Sequence, residues 1–154
     1  MIIVKEKTVA ITGHRVLKKD FSSREVENQL KNLILKGKDT FLVGMALGFD
    51  SKVFDILTKL KKIFKINLIA CVPCENQDMF WNESDKIKYK KRLSVADKVI
   101  FVSKKYDDYC MHLRDRFIVD NASVILCYLY KNAGGTYYTV KYAVENNKEI
   151  IYIK

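Results

Sequence analysis

The sequence predicts an α/β fold: one domain over residues 1–154, a mostly parallel sheet of about six strands with helices on both faces. Three observations predict it. Short apolar runs alternate with longer segments whose apolar residues recur at helical spacing. The chain has the length of one ordinary domain, 49% of it hydrophobic, with a single proline (Pro73) and no Ser/Gly linker, repeat or low-complexity run. Glycine-containing loops fall directly after the apolar runs, where strands hand over to helices.

The elements read in order. Residues 8–12 form a first apolar strand. Ser22 and Glu25 then stand as N-cap and third helical residue of a capping box, and Val26, Leu30, Leu33 and Ile34 follow on one helical face. Gly37 ends that helix as a left-handed cap residue. Residues 40–43 are the second strand, and a helix over 50–64 carries Val53, Ile56, Leu57, Leu60 and Phe64 on one side. Residues 67–72 are apolar nearly throughout, as a strand buried on both faces requires. A helix over 82–96, a strand over 98–102, a helix over 111–121, a strand over 124–129, a helix over 136–146 and a strand over 149–153 complete the chain. Strict alternation implies right-handed crossovers and a Rossmann-like sheet, whose ligands bind beyond the carboxyl ends of the strands.

That rule directs attention to the loops after strands. In Thr12-Gly13-His14-Arg15, Gly13 lets a ligand approach the backbone, Arg15 suits a phosphate and His14 can donate to one; the plain alternative is a tight turn with a surface arginine. Gly44-Met45-Ala46-Leu47-Gly48-Phe49-Asp50 leads into a helix, so its backbone N–H groups suit an anionic oxygen. Asp50 there has two readings, ligand contact and helix N-cap. The loop is not a Walker A loop, since no Gly-Lys-Ser/Thr follows. Asn132-Ala133-Gly134-Gly135-Thr136 also joins a strand to a helix, with Thr136 offering an N–H and a hydroxyl. Arg114 and Arg116 point about 200° apart on their helix. Arg116 is placed to pair with Asp120 on the surface, which leaves Arg114 to reach a ligand.

Net charge is +10, with lysines spread along the chain at Lys18-Lys19, Lys59 to Lys62, Lys86 to Lys91 and Lys104-Lys105. That pattern fits solvated helix faces better than one phosphate-binding stripe. Cys71-Val72-Pro73-Cys74 is a CxxC, but Cys71 ends a strand instead of opening a helix, and Cys110 and Cys127 form no second pair, so all four cysteines read as structural. With only His14 and His112, neither a metal nor a cofactor is expected. No stretch has the apolar length of a membrane span, the apolar N-terminal run Met1 to Val4 is too short for a signal peptide, and cysteines without a disulfide pattern point to the cytoplasm.

Taken together these motifs resemble the SLOG superfamily, which includes the LOG phosphoribohydrolases and the DprA/SMF single-strand DNA-binding proteins. The segments Met111-His112-Leu113-Arg114-Asp115-Arg116 and Gly134-Gly135-Thr136 carry the likeness. The YpsA/YoqJ-like branch is closer. It is matched in order by Ile11 to Arg15, Gly44 to Asp50, Pro73 to Gln77 with Trp81 and Tyr89, and Arg114 through Asp120 to Thr136 and Ala143. The resemblance implies a nucleotide-type ligand, a homodimer and roles for Gln77, Trp81 and Tyr89, with Trp81 either stacking on a base or packing in the core. Two departures stand out. Where LOG enzymes carry Pro-Gly-Gly-x-Gly-Thr-x-x-Glu, this chain lacks the proline and one glycine and has Thr139 at the glutamate position; Asp115 replaces the asparagine of Arg-Asn-Arg. Threonine supplies no carboxylate for glycosidic cleavage, leaving Glu75, Asp50 or Asp120 as substitutes. Binding of a nucleotide, to sense, carry or sequester it, is therefore expected before N-glycosidic hydrolysis, and DprA-like binding of single-stranded nucleic acid comes third. The expected ligand-binding set is Thr12, Gly13, His14, Arg15, Gly44, Met45, Ala46, Gly48, Asp50, Gln77, Trp81, Tyr89, Arg114, Asp120, Gly134, Gly135, Thr136 and Thr139.

Overall fold

A computed structural model describes residues 2–104 and 106–154; Met1 of the N-terminal apolar run and Lys105 of the Lys104-Lys105 pair lie outside the described residues. The elements follow one another as β1 (Thr8–Gly13), α1 (Ser23–Leu35), β2 (Thr40–Val43), α2 (Phe49–Leu60), β3 (Asn67–Val72), α3 (Glu83–Val95), β4 (Lys98–Phe101), α4 (Cys110–Asp120), β5 (Val124–Tyr128), α5 (Gly134–Glu145) and β6 (Glu149–Tyr152), after a short 3-10 turn at Lys5–Lys7. Among the described residues the six strands make one sheet, all parallel, in the order β4-β3-β2-β1-β5-β6.

The order explains where a ligand can sit. From β1 the chain steps outward through β2 and β3 to β4, then α4 carries it back across the sheet so that β5 lies on the other side of β1. Right-handed crossovers then put α1, α2 and α3 on one face and α4 and α5 on the other. The loops leaving β1 and β5 diverge, and the crevice between them is the topological switch point.

Residue alternation builds both layers. Val9, Ile11, Phe41, Val43 and Leu68 face Val26, Leu30, Val53 and Leu57 of α1 and α2. Their neighbours Ala10, Leu42, Ile69 and Ile125 face Ile118, Val119, Val140 and Ala143 of α4 and α5. The interior strands are therefore buried along nearly their whole length, while the edge strands β4 and β6 are half exposed.

The cap signals of α1 are realised. The Glu25 N–H donates to Ser22 Oγ at 3.2 Å. Gly37 adopts φ +105°, and the Gly37 and Lys38 N–H groups close on the carbonyls of Ile34 and Leu33, each at 3.0 Å, in a Schellman motif. α2 departs from expectation at both ends. It begins at Phe49 with Gly48 as its N-cap, so Asp50 lies inside the first turn and is not the cap. It ends at Leu60 because the Lys62 and Ile63 N–H groups bond three residues back, to Lys59 and Leu60, and tighten the last turn. Phe64 still packs on the core beyond that end.

Cys71, Cys74, Cys110 and Cys127 are free and buried. Burial pushes the thiols of Cys71 and Cys127 up to about 12 and that of Cys74 up to about 11, so they serve as packing groups. No helix of the described residues is long and apolar enough to cross a membrane.

Candidate functional site

A cleft of about 420 Å³ opens at the carboxyl ends of β1, β2 and β5. Eleven of the expected site residues line it: Thr12, Gly13, His14 and Arg15 after β1; Gly44, Ala46 and Asp50 around the start of α2; Arg114 from α4; and Gly134, Gly135 and Thr136 at the start of α5. The N-cap of α5 is Ala133, which supplies no side-chain cap bond. The first-turn N–H groups of that helix have no intrahelical partner, and the helix dipole adds partial positive charge there. Space above this end is open, since a Cβ on Gly134 or Gly135 would meet nothing within 4 Å.

Charge in the cleft is mixed. Lys131 lies near His14, Asp115 lies beside Arg114, and Asp50 has both Arg114 and Arg15 near it. His14 is 6% exposed, and its Nε2 is buried with no partner among the described residues. Burial, then Lys131 and Lys18, hold its imidazole below the ordinary range, so it is neutral near pH 7. Asp50 is 4% exposed. Its Oδ2 accepts the Ala46 N–H at 3.1 Å, while Oδ1 is buried without a partner among the described residues. Burial pushes the Asp50 carboxyl up to about 7, against Arg114, the Ala46 N–H and Arg15; Asp115 adds to the rise.

Arg114 is buried and largely committed within the protein. Its Nε donates to Asp115 Oδ1 at 2.7 Å, Nη1 donates to the Gly44 carbonyl, and Nη2 lies 3.8 Å from Met111 Sδ. Asp115 and Asp50 outweigh the cost of burial and keep the guanidinium charged. Gly44 is required by this contact, because a Cβ there would lie 2.7 Å from Arg114 Nη1.

Three consecutive residues of the β2–α2 loop are thus held by three different elements. Arg114 of α4 takes the Gly44 carbonyl, the Gln77 side chain takes the Met45 carbonyl at 3.1 Å, and Asp50 of α2 takes the Ala46 N–H. These clamps hold Met45 at φ +64°, a left-handed conformation unusual for a residue with a side chain. Gly48, at φ +88°, sits where a Cβ would overlap the Arg15 backbone, which locks the first two loops together.

Seven expected site residues do not line the cleft. Met45, Gly48 and Gln77 shape its wall from behind. Trp81 packs on the core, edge-on to Tyr89 with ring centroids 5.1 Å apart, which takes the core side of its two readings. Burial pushes the Tyr89 hydroxyl up to about 12. Thr139 is fully buried and donates to the Gly135 carbonyl at 2.8 Å. The expected Arg116–Asp120 pair does not form: Arg116 donates to the Tyr138 hydroxyl and Asp120 accepts from the Tyr142 hydroxyl, each at 2.7 Å. Tyrosines of α5 stand closer to these charges than the charges stand to each other, so Asp120 faces the α4–α5 surface, away from the cleft. The cleft also contains Lys131, Tyr130 and Tyr106, which were not singled out from sequence, and Asp115, which the sequence marked only as a departure from Arg-Asn-Arg. Lys131 and Tyr130 follow β5 directly, so the strand-end rule applies to them as well.

Comparison with known proteins agrees with this architecture. A family model described as the YspA SLOG family matches residues 9–154. A UPF0398 protein of Listeria welshimeri is 30% identical over 142 residues, covering 83% of this chain and 78% of that protein. The SPbeta prophage-derived protein YoqJ of Bacillus subtilis is 28% identical over 128 residues, covering 74% and 75% respectively. Among solved structures, DNA processing protein A of Streptococcus pneumoniae superposes with a TM-score of 0.72 at 18% identity, over 96% of this chain and 50% of that one. DNA processing protein A of Helicobacter pylori, described for its single-stranded DNA binding mode, superposes with a TM-score of 0.68 at 16% identity, over 96% and 65%. This chain thus spans half to two thirds of those longer proteins, and the likeness to them is one of fold.

Proposed function

Because the chain belongs to the YspA SLOG family, we propose that it binds a nucleotide, or a nucleotide-derived molecule carrying phosphate, in the cleft at the strand ends, so as to sense, carry or sequester it. One observation carries the reading: the open, uncapped start of α5 faces the same cleft as Arg15, Lys131 and the unpartnered Nε2 of His14. Free backbone N–H groups, two cations and a buried donor or acceptor converge on one volume, and a phosphate satisfies them together. The cleft is of the size of small-ligand sites. The homodimer and the cytoplasmic setting implied by the sequence belong to this reading, and light scattering of the purified chain tests the first.

The experiment is a thermal-shift panel of nucleoside mono-, di- and triphosphates, with released base followed in the same samples. A ligand present at about 100 times its Kd stabilises by about 2.7 kcal/mol, which raises the melting temperature of a chain this size by roughly 5–10 °C. Gly135→Glu places a carboxylate in the open space above α5, where nothing lies within 4 Å. It should leave the ligand-free melting temperature nearly unchanged and abolish the shift. Base release would replace this reading with N-glycosidic hydrolysis. Since Thr139 is buried and bonded to Gly135, Asp50 would then be the acid to substitute. The net charge of +10 favours a third reading, single-stranded nucleic acid. Oligonucleotide binding at about 50 mM salt that falls steeply with added salt is its mark.

A further inference from the structure

We propose that Asp50 reads the sugar of the ligand, accepting hydrogen bonds from vicinal ribose hydroxyls, so that the cleft selects ribonucleotides over 2′-deoxyribonucleotides. The proposal rests on the nucleotide reading above and adds to it which end of the ligand lies where.

The free Oδ1 of Asp50 is the starting point. Asp50 lies at the start of α2, 96% shielded from solvent, and it lines the cleft. One carboxyl oxygen is satisfied by the Ala46 N–H, and the other has no partner among the described residues. A buried acceptor left unpaired is costly, so the site is incomplete without a donor. Neither nearby cation fills the role: Arg114 directs its guanidinium to Asp115, Gly44 and Met111, and Arg15 makes no hydrogen bond to Asp50 Oδ1 among the described residues. A ligand hydroxyl in the cleft supplies that donor.

Above its titration at about 7 the Asp50 carboxyl is ionised, so at pH 8 it accepts hydrogen bonds and repels a second anion. Phosphate therefore goes to the opposite wall, where α5 begins and where Lys131 stands. Strand order sets the separation of the two walls. β2 and β5 flank β1 on either side, two strand spacings apart, or about 10 Å. A 5′-phosphate and the hydroxyls of its own ribose bridge that span with one hydrogen bond at each end, whereas the base lies farther along. The exposed ring of Tyr106 at the cleft margin offers the base an apolar surface.

The test deletes the contact from both sides. At pH 8, isothermal titration compares ribonucleoside 5′-phosphates with their 2′-deoxy and 3′-deoxy counterparts, keeping the base constant. The wild-type chain should bind the ribo form at least tenfold more tightly. In Asp50→Asn the amide oxygen keeps the Ala46 bond and turns its NH2 toward the cleft. The preference should then fall to within twofold, through loss of ribo affinity alone. Equal binding of ribo and deoxy forms by the wild-type chain overturns the proposal and leaves the nucleotide reading standing. A ribo preference that survives in Asp50→Asn overturns it too. Binding of no nucleotide at all overturns the nucleotide reading, and the proposal with it. Should Asp50→Asn fail to fold, the comparison of ligands on the wild-type chain still decides, and a preference that tracks the base instead of the sugar counts against the proposal.

Discussion

Asp50 concentrates the physical tension of the site. Its folded-state carboxyl titrates at about 7, against an ordinary value of 3.8, with burial as the main cause. The sign follows from proton binding: between about pH 4 and pH 7 the folded chain holds a proton that the unfolded chain has released, so stability falls as pH rises through that window. Three units correspond to at most about 4 kcal/mol. The groups around Asp50 are Arg114 from α4, Asp115 beside it, Arg15 from the first loop and the Ala46 N–H. Asp50→Asn removes the titration. It should therefore be more stable than wild type at pH 8 and close to it at pH 4, a crossover that thermal melts across pH would show; parallel pH profiles for the two proteins would contradict it. Other residues were less legible. Trp81 read equally well as stacking platform or core, because an aromatic side chain serves both and sequence spacing does not say which way it points. The structure turns it on Tyr89. Arg116 and Asp120 had the spacing of a helical ion pair, yet tyrosines from α5 intervene, and one helix read alone does not reveal its neighbour.

Among the elements, the strands were the most legible, since runs such as Asn67–Val72 are apolar on both faces. The end of α2 was less so, because its apolar periodicity continues into a tightened turn that still packs on the core. The β2–α2 loop shows what sequence conceals. Its glycines marked it as functional, but its shape depends on clamps from α4, from α2 and from the segment after β3, up to 70 residues away in the chain. Gln77 is the clamp most easily tested, since it lies outside the cleft. Gln77→Leu leaves the buried Met45 carbonyl without its donor, at a cost of about 1–3 kcal/mol. Chemical denaturation should show that loss, and ligand affinity should fall with it because the wall that carries Asp50 and Ala46 loosens. A variant of unchanged stability would show that the 3.1 Å contact does not hold the loop.

For the molecule as a whole, strict alternation of strands and helices was enough to anticipate a parallel sheet covered on both sides. What alternation leaves open is the order of the strands, because any right-handed crossover satisfies it. The return of α4 from one edge of the sheet to the far side of β1 creates the crevice, and it brings Arg114 and Asp115 over loops that lie far earlier in the chain. The +10 charge, by contrast, is spread over the surface; among the described residues Lys131 and Arg15 line the cleft together with the internally bonded Arg114. The central claim is that an anionic nucleotide binds in this crevice with its phosphate at the start of α5. Amide NMR during titration with a ribonucleoside 5′-phosphate tests it most directly. The account predicts that the largest shifts fall on Gly13, His14, Gly134, Gly135 and Thr136. Shifts centred on another surface, or none at millimolar ligand for any member of the nucleotide panel, would contradict it.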